Sequence, residues 1–173
     1  MLTEKDNAVQ ANAMETAVPA DVLDRIFQKL AGLDKARWLR AEKYIELLLA
    51  EKAALTGDAE AQAKCGDMYM SGNGEDILVS QRMAHHWYME AAKQGHVRSQ
   101  LLCGEYYYNR YYPIRDSARA ALLKAEALQW YEKAAEQGHD HGVVACASMY
   151  REGKGTPVDL EKARYWADRI ARD

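Results

Sequence analysis

The sequence AHHWYMEAAKQG at residues 84–95 returns as ALQWYEKAAEQG at residues 127–138. A third, partial copy of the pattern, EKARYWADRIA, lies at residues 161–171. Each copy follows a second recurring segment in which a cysteine precedes a tyrosine by four residues, and these cysteines are Cys65, Cys103 and Cys146. Self-similarity at a period of about 20 to 50 residues is typical of a solenoid, in which each helical hairpin buries its apolar face against its neighbours. The repeated pattern therefore predicts an all-α protein built from three helical hairpins.

Small side chains recur on one face of the first predicted helix of each repeat. In the first repeat, Ala61, Cys65, Gly66 and Tyr69 are spaced as i, i+4, i+5 and i+8, which places them on one stripe of a helix. We expect this stripe to pack closely against the alanines and the tryptophan of the following helix. The three cysteines occupy equivalent positions about one repeat apart, so we expect free thiols in the core rather than disulfides or a zinc site.

The repeats differ in length. Cys65 and Cys103 are 38 residues apart, whereas Cys103 and Cys146 are 43 residues apart. Taking the third repeat as the basic unit, the first carries two extra residues and the second carries seven. Loops tolerate insertions, whereas an insertion inside a helix would rotate its buried stripe away from the core. We therefore expect all the extra residues to lie in the loops between paired helices.

The order of these residues resembles the Sel1-like repeat, a family related to the tetratricopeptide repeat. The second repeat matches the family's second-helix pattern, and the third repeat matches its turn. The residues that carry the match are Ala127, Trp130, Tyr131, Lys133, Ala134, Ala135, Glu136, Gln137, Gly138, Tyr150, Gly153, Gly155, Lys162 and Ala163. The chain departs from the pattern in having cysteine where the family has leucine. The resemblance implies a right-handed α/α superhelix over residues 57–173, with repeats at 57–94, 95–137 and 138–173.

The residues before the repeats are expected to form an N-terminal helical cap over residues 19–56. A long helix at residues 34–56 ends in the alanine and glycine pattern of the repeats, and a shorter helix at Asp21–Leu30 carries apolar residues on one face. We expect residues 1–18 to be disordered. The sequence shows no typical signal peptide and no apolar stretch near the roughly 20 residues that span a bilayer, so we expect a cytoplasmic protein without membrane contact.

Composition and motifs narrow the function. With 23 basic against 26 acidic residues and a net charge of -3, the chain has no general positive field that would attract nucleic acid. The sequence contains no nucleophile elbow, HExxH motif, phosphate loop or dinucleotide fingerprint, so we expect no enzyme activity, no cofactor and no metal. The five histidines are expected at the surface or at helix ends.

The candidate binding site is a stretch rich in tyrosine and arginine, YYYNRYYPIRDSARA at residues 106–120. Tyr107 occupies the core position of the repeat, but the repeat does not require the other tyrosines. Tyrosine and arginine are enriched at interface hot spots, because both offer a large contact area with a polar tip. We predict that a protein or peptide partner binds here, and an acidic partner is one of the alternatives. The residues predicted to contact it are Tyr106, Tyr108, Arg110, Tyr111, Tyr112, Arg115 and Arg119. The alternative is that the insertion folds back and its tyrosines cover their own hairpin.

These observations predict a non-catalytic scaffold or adaptor that binds a protein or peptide on the solenoid surface. The family resemblance admits a narrower alternative, a cytosolic immunity protein that neutralises a cognate bacterial toxin or secreted effector. A β-lactamase-like activity, which the resemblance to cysteine-rich relatives would imply, is disfavoured because each repeat here has one cysteine rather than a pair. Self-association through the N-terminal helices stays open.

Overall fold

The computed structural model describes residues 35–72, 77–110 and 117–170, and all regular secondary structure in these ranges is α-helical. In chain order the helices are α1 (Lys35–Leu55), α2 (Ala59–Ser71), α3 (Gln81–Lys93), α4 (Val97–Arg110), α5 (Ser117–Glu136), α6 (Asp140–Glu152) and α7 (Leu160–Ile170). The prediction of an all-α fold is confirmed. Helix α1 falls within the long helix predicted at residues 34–56, whereas residues 1–18 and the helix predicted at Asp21–Leu30 lie outside the described residues.

Each helix packs against the helices that precede and follow it in the sequence. The pairs α2–α3, α4–α5 and α6–α7 are the hairpins of the three repeats. Between them lie three junctions, where α1 meets α2, α3 meets α4, and α5 meets α6. We call these the first, second and third junctions. The buried side chains are accordingly divided among a row of clusters rather than gathered in one centre.

Helices α3 and α5, the second helices of the first two repeats, end in the same backbone motif. At the end of α3, Gly95 has a φ of 93° and its N–H donates to the Ala92 carbonyl at 3.0 Å, while the His96 N–H donates to the Ala91 carbonyl at 3.1 Å. This pair of bonds is the Schellman motif, which requires a left-handed residue that glycine adopts without strain. Gly138 ends α5 in the same way. The motif reverses the chain within two residues, so the next repeat begins directly against the previous one.

The three cysteines lie where the repeat predicts them. Cys65, Cys103 and Cys146 are free thiols and are all 0% exposed. Next to them, the helical glycines let a tyrosine of the paired helix lie against the backbone. A Cβ added at Gly104 would lie 2.7 Å from ring carbons of Tyr131, which is closer than carbon atoms can pack. The small residues therefore set the distance between paired helices.

The prediction that all extra residues lie in loops is wrong for the second repeat. Helix α5 has 20 residues, whereas its equivalent α3 has 13, and both end two residues before the glycine of the Schellman motif. The additional residues form two further turns at the start of α5. Their sequence, SARAALL at residues 117–123, consists largely of strong helix formers, and an extension at the start of a helix leaves the register of the following buried stripe unchanged.

Buried glutamines bridge the first two junctions, a feature that the sequence analysis missed. Gln62 donates through Nε2 to the Ala54 carbonyl at 3.0 Å, and Gln100 donates in the same way to the Ala92 carbonyl at 3.2 Å. At the third junction the equivalent residue is Val143, which is buried and apolar. The junctions thus share one backbone geometry but differ in the side chains between them.

Candidate functional site

A groove of about 930 Å³ runs across the second junction, between the first and second repeats. Four helices line it, and we call it the inter-repeat groove. Its lining residues are Asp67 and Met70 from α2, Gln81, Arg82, His85 and Tyr88 from α3, Arg98, Leu102, Glu105, Tyr106, Asn109 and Arg110 from α4, and Arg119 from α5. Arg119 lies on the two additional turns of α5, so the insertion in the second repeat contributes to this groove.

Positive charge exceeds negative charge in the lining, which contains four arginines and two carboxylates. Asp67 is already engaged, since Arg98 donates to it at 2.7 Å and the Tyr88 hydroxyl donates to it at 2.6 Å. Although burial opposes the effect, these two bonds lower the pKa of Asp67. The exposed Arg82 has no ion-pair partner among the described residues. The groove therefore offers guanidinium groups to a negatively charged ligand.

A stack of His85 on Tyr106 forms part of the groove. The two rings lie parallel, with centroids 3.6 Å apart and planes 10° apart, and Tyr107 contacts His85 edge-on at 5.3 Å. Arg110 donates to the Tyr106 hydroxyl at 2.7 Å. Within the described part of the chain, Nδ1 of His85 is enclosed and has no hydrogen-bond partner. Burial, together with the positive charge of Arg110 and then that of His86, lowers the pKa of His85 to about 4.

His85 and Tyr106 occupy positions that are apolar at both neighbouring junctions. His85 lies ten residues before the glycine that ends its helix, and Tyr106 lies three residues after the core cysteine. The equivalent pairs are Leu47 with Met68 at the first junction and Leu128 with Met149 at the third. Each of these pairs packs within one apolar cluster, and Leu47, Leu128 and Met149 are 4%, 5% and 2% exposed. The second junction has thus replaced a packed leucine and methionine with two polar aromatic rings.

A second repeating contact is altered at the same junction. The core tyrosine of the first repeat, Tyr69, donates its hydroxyl to Glu51 at 2.7 Å, and Tyr150 of the third repeat donates to Glu132 at 2.5 Å. At the second junction the tyrosine is Tyr107, but Met89 stands where the others have glutamate and offers no carboxylate. Two of the contacts that stabilise the outer junctions are therefore absent beside the inter-repeat groove.

The residues predicted as the binding site do not all lie together. Tyr106, Arg110 and Arg119 line the inter-repeat groove. Tyr108 lies instead toward the third repeat, where Lys154 donates to its hydroxyl at 3.1 Å and its ring centroid is 6.5 Å from that of Tyr131. Tyr108 thus contacts its own hairpin through Tyr131 and the third repeat through Lys154. The other three predicted residues, Tyr111, Tyr112 and Arg115, lie outside the described residues.

Sequence analysis missed Arg82 and His85, and it assigned His85 wrongly. The expectation of surface or capping roles holds for His96, whose Nδ1 accepts from the Ser99 N–H at 3.3 Å at the start of α4, and for the exposed His86 and His141. His85 is instead half-buried between two repeats. The signal that identifies it is the comparison between repeats, which places a histidine where the next repeat has the buried Leu128. A polar residue at a core position of a repeat is a departure that marks a functional site.

Among the described residues, no three histidine, cysteine or acidic side chains cluster as metal ligands would. None of the helices described is both long and apolar enough to cross a bilayer.

The sequence and the fold are similar to those of known repeat proteins. The model of the Sel1 repeat family matches residues 59–96, 124–139 and 144–173. The crystal structure of a Sel1 repeat protein from Oxalobacter formigenes is 28% identical with a TM-score of 0.56, and the match covers 72% of this chain and 88% of that chain. The crystal structure of c5321, a protective antigen present in uropathogenic Escherichia coli strains that displays an SLR fold, is 26% identical with a TM-score of 0.35. That match covers 73% of this chain and 33% of that chain. No curated protein sequence matches this chain.

The longer gap in the family match coincides with the groove. The match stops at residue 96 and resumes at residue 124, so it leaves out α4 and the additional turns of α5. Tyr106, Arg110 and Arg119 all lie in this gap. The segment that departs most from the repeat pattern is therefore the one that lines the inter-repeat groove on the side of the second repeat.

Proposed function

We propose that this chain, which belongs to the Sel1 repeat family by its matches at residues 59–96, 124–139 and 144–173, is a non-catalytic scaffold that binds an acidic segment of a partner protein in the inter-repeat groove. Sel1 repeat proteins generally mediate protein–protein interaction, and their fold is typically a non-catalytic scaffold. The observation that carries the proposal for this chain is the groove at the second junction. Polar aromatic and guanidinium groups line it where the other junctions have packed apolar side chains.

The size and lining of the groove suit a short peptide segment. Its volume of about 930 Å³ lies near the upper end of the range that ligand-binding clefts occupy, about 300 to 1,000 Å³. Met70, Leu102 and Tyr88 provide apolar surface, on which a side chain of the partner can pack. Tyrosine and arginine at the same site supply the residue types that dominate binding energy at interfaces.

Charge complementarity favours an acidic segment over a basic or neutral one. Asp67 is neutralised by Arg98, and Glu105 lies 3.6 Å from His141 across the junction with α6. Arg82 and Arg110 remain as guanidinium groups without a carboxylate partner among the described residues. A guanidinium group binds a carboxylate through two parallel hydrogen bonds, which gives both affinity and orientation. Nothing in the geometry of the described residues favours the immunity-protein alternative over a general adaptor.

The proposal is tested by selecting peptides and then reversing charges in the groove. Peptides that bind the full chain at pH 7.5 are selected from a library randomised over twelve residues, and affinities are measured by fluorescence polarisation. We expect the selected sequences to be rich in Asp and Glu, and Arg82→Glu together with Arg110→Glu to weaken binding at least tenfold. Arg164→Glu is the matched control, because Arg164 is an exposed arginine on α7, outside the groove.

Two results would refute the proposal. One is the recovery of peptides that are not acidic, or the failure to recover any peptide. The other is an affinity that the groove variant and the control variant change equally, since that would indicate a general charge effect rather than recognition in the groove. Circular dichroism spectra establish that both variants are folded.

A further inference from the structure

We propose that His85 couples partner binding to protonation: a carboxylate of the partner binds beside its ring in the inter-repeat groove, His85 takes up a proton, and the affinity rises as the pH falls. This proposal rests on the proposed function, because it assigns a regulatory property to the same groove. Its basis is the position of His85 at the wall of a groove rich in arginine, at a site where both flanking junctions have a buried leucine.

The geometry leaves one ring nitrogen for the ligand. Nδ1 is enclosed by the protein, so a ligand in the groove can reach only Nε2, which makes no hydrogen bond with the described residues. Stacking on Tyr106 fixes the plane of the ring, so Nε2 keeps a constant direction. A carboxylate that enters the groove and accepts a hydrogen bond from Nε2 stabilises the protonated ring, since a nearby negative charge favours the charged form of histidine.

The groups around His85 oppose protonation while the groove has no ligand. The charged and titratable groups that line the groove or contact the ring are Asp67 on α2, Arg82, His86 and Tyr88 on its own helix α3, Arg98, Glu105, Tyr106, Tyr107 and Arg110 on α4, and Arg119 on α5. Arg110 and His86 repel a second positive charge, whereas the carboxylate of Asp67 pairs with Arg98 and that of Glu105 lies 3.6 Å from His141. Burial of the ring, followed by these two charges, holds the pKa of His85 at about 4. A bound carboxylate opposes both effects, because its negative charge pairs with Arg110 and stabilises the protonated ring.

The size of the effect follows from proton linkage. If binding returns His85 from a pKa of about 4 to its ordinary value of 6.5, the affinity at pH 5.5 exceeds that at pH 7.5 by about tenfold. Aspartate and glutamate of the partner stay largely ionised at pH 5.5, because their ordinary pKa values are about 4. The rise therefore reflects the histidine and not the ligand.

The test uses the acidic peptide selected above and the full chain at pH 7.5, 6.5 and 5.5. In His85→Phe the aromatic ring on Tyr106 is kept and the titrating group is removed, so we expect the affinity to change less than twofold between pH 7.5 and 5.5, whatever its value at pH 7.5. Two control variants should keep the rise: His86→Asn, which removes the exposed neighbour on α3, and His141→Gln, which removes the histidine beside Glu105. Chemical shifts of the His85 ring, followed by NMR in free and bound protein, report its protonation directly.

The outcomes separate this proposal from the one on which it rests. A peptide that binds through Arg82 and Arg110 with an affinity independent of pH would overturn the proton coupling and leave the proposed function intact. A tenfold rise that survives in His85→Phe would also overturn it, because another group would then be titrating. Failure of acidic peptides to bind at any of the three pH values would overturn both proposals.

Discussion

Replacing His85 with leucine and Tyr106 with methionine gives the second junction the pair that the first and third junctions already have. The double substitution removes the enclosed Nδ1 that has no hydrogen-bond partner among the described residues, which relieves a desolvation penalty of about 1 to 3 kcal/mol. It also removes the stacking of the two rings, which is worth about 0.5 to 1.5 kcal/mol. We therefore expect the free energy of unfolding at pH 7.5 to increase by about 1 kcal/mol.

The same substitution should have a larger effect at lower pH. The unfolded chain protonates this histidine near pH 6.5, whereas the folded chain does so only near pH 4, so the native stability is complete above pH 6.5 and falls as the pH drops toward 4. With allowance for the partial exposure of His85, the wild-type chain loses about 1 kcal/mol between pH 7.5 and 5.5 through this group. The substituted chain avoids that loss, and its advantage grows to about 2 kcal/mol.

Urea denaturation at the two pH values, followed by circular dichroism, measures both quantities. The reverse exchange at the third junction, Leu128→His with Met149→Tyr, is the matched control and should destabilise the chain by about 3 kcal/mol or more, because both positions are almost fully buried. The reasoning is refuted if the exchange at the second junction destabilises the chain, or if its effect is equal at the two pH values. The exchanged chain should also lack the tenfold rise in affinity for the acidic peptide at pH 5.5, since it lacks His85.

Two further predictions test the packing of the repeats. Gly66→Ala should lower the free energy of unfolding by about 1 to 3 kcal/mol in urea denaturation, because the added Cβ would overlap the Tyr88 ring. The ring cannot move aside easily, since the Tyr88 hydroxyl is hydrogen-bonded to Asp67. An unchanged or higher stability would contradict this prediction. In the native chain at pH 8 the three thiols should not react with Ellman's reagent within minutes, whereas all three should react in concentrated guanidinium chloride. The reason is that the three cysteines are unexposed in the fold, and burial raises the pKa of Cys103 to about 12. Labelling of any thiol in the native chain would contradict this prediction.

The parts of the fold that follow from periodicity could be predicted from the sequence. Core cysteines, helix-ending glycines and the pairing of helices recur in register, so each copy supports the assignment of the others. For the second repeat, the prediction that the extra residues form a loop is wrong, because periodicity gives no information about residues that occur in one copy only. Its additional residues have no counterpart in the other copies, and only their helix propensity indicates that they extend α5.

The candidate site could be predicted only in part, because its residues come from two repeats. Counting tyrosines and arginines along the chain identifies Tyr106, Arg110 and Arg119, which lie within one segment. It misses Arg82 and His85, which lie in the preceding repeat and become neighbours of that segment only when α3 packs on α4. It also includes Tyr108, because composition does not distinguish the face of α4 toward the groove from the face toward the third repeat.

A repeat protein can place such a site at one junction without weakening the others. Each repeat contacts only its neighbours, so stability is close to a sum of terms for repeats and junctions, and a cost at one junction stays there. The first and third junctions keep the packed leucine and methionine and the bond from tyrosine to glutamate. The second junction has neither, but beside the groove Arg98 on α4 pairs with Asp67 on α2, and Gln100 on α4 donates to the Ala92 carbonyl of α3. The second junction therefore contains both the groove residues and polar contacts that stabilise the packing around them. A binding site that lowers the local stability of its junction requires such contacts.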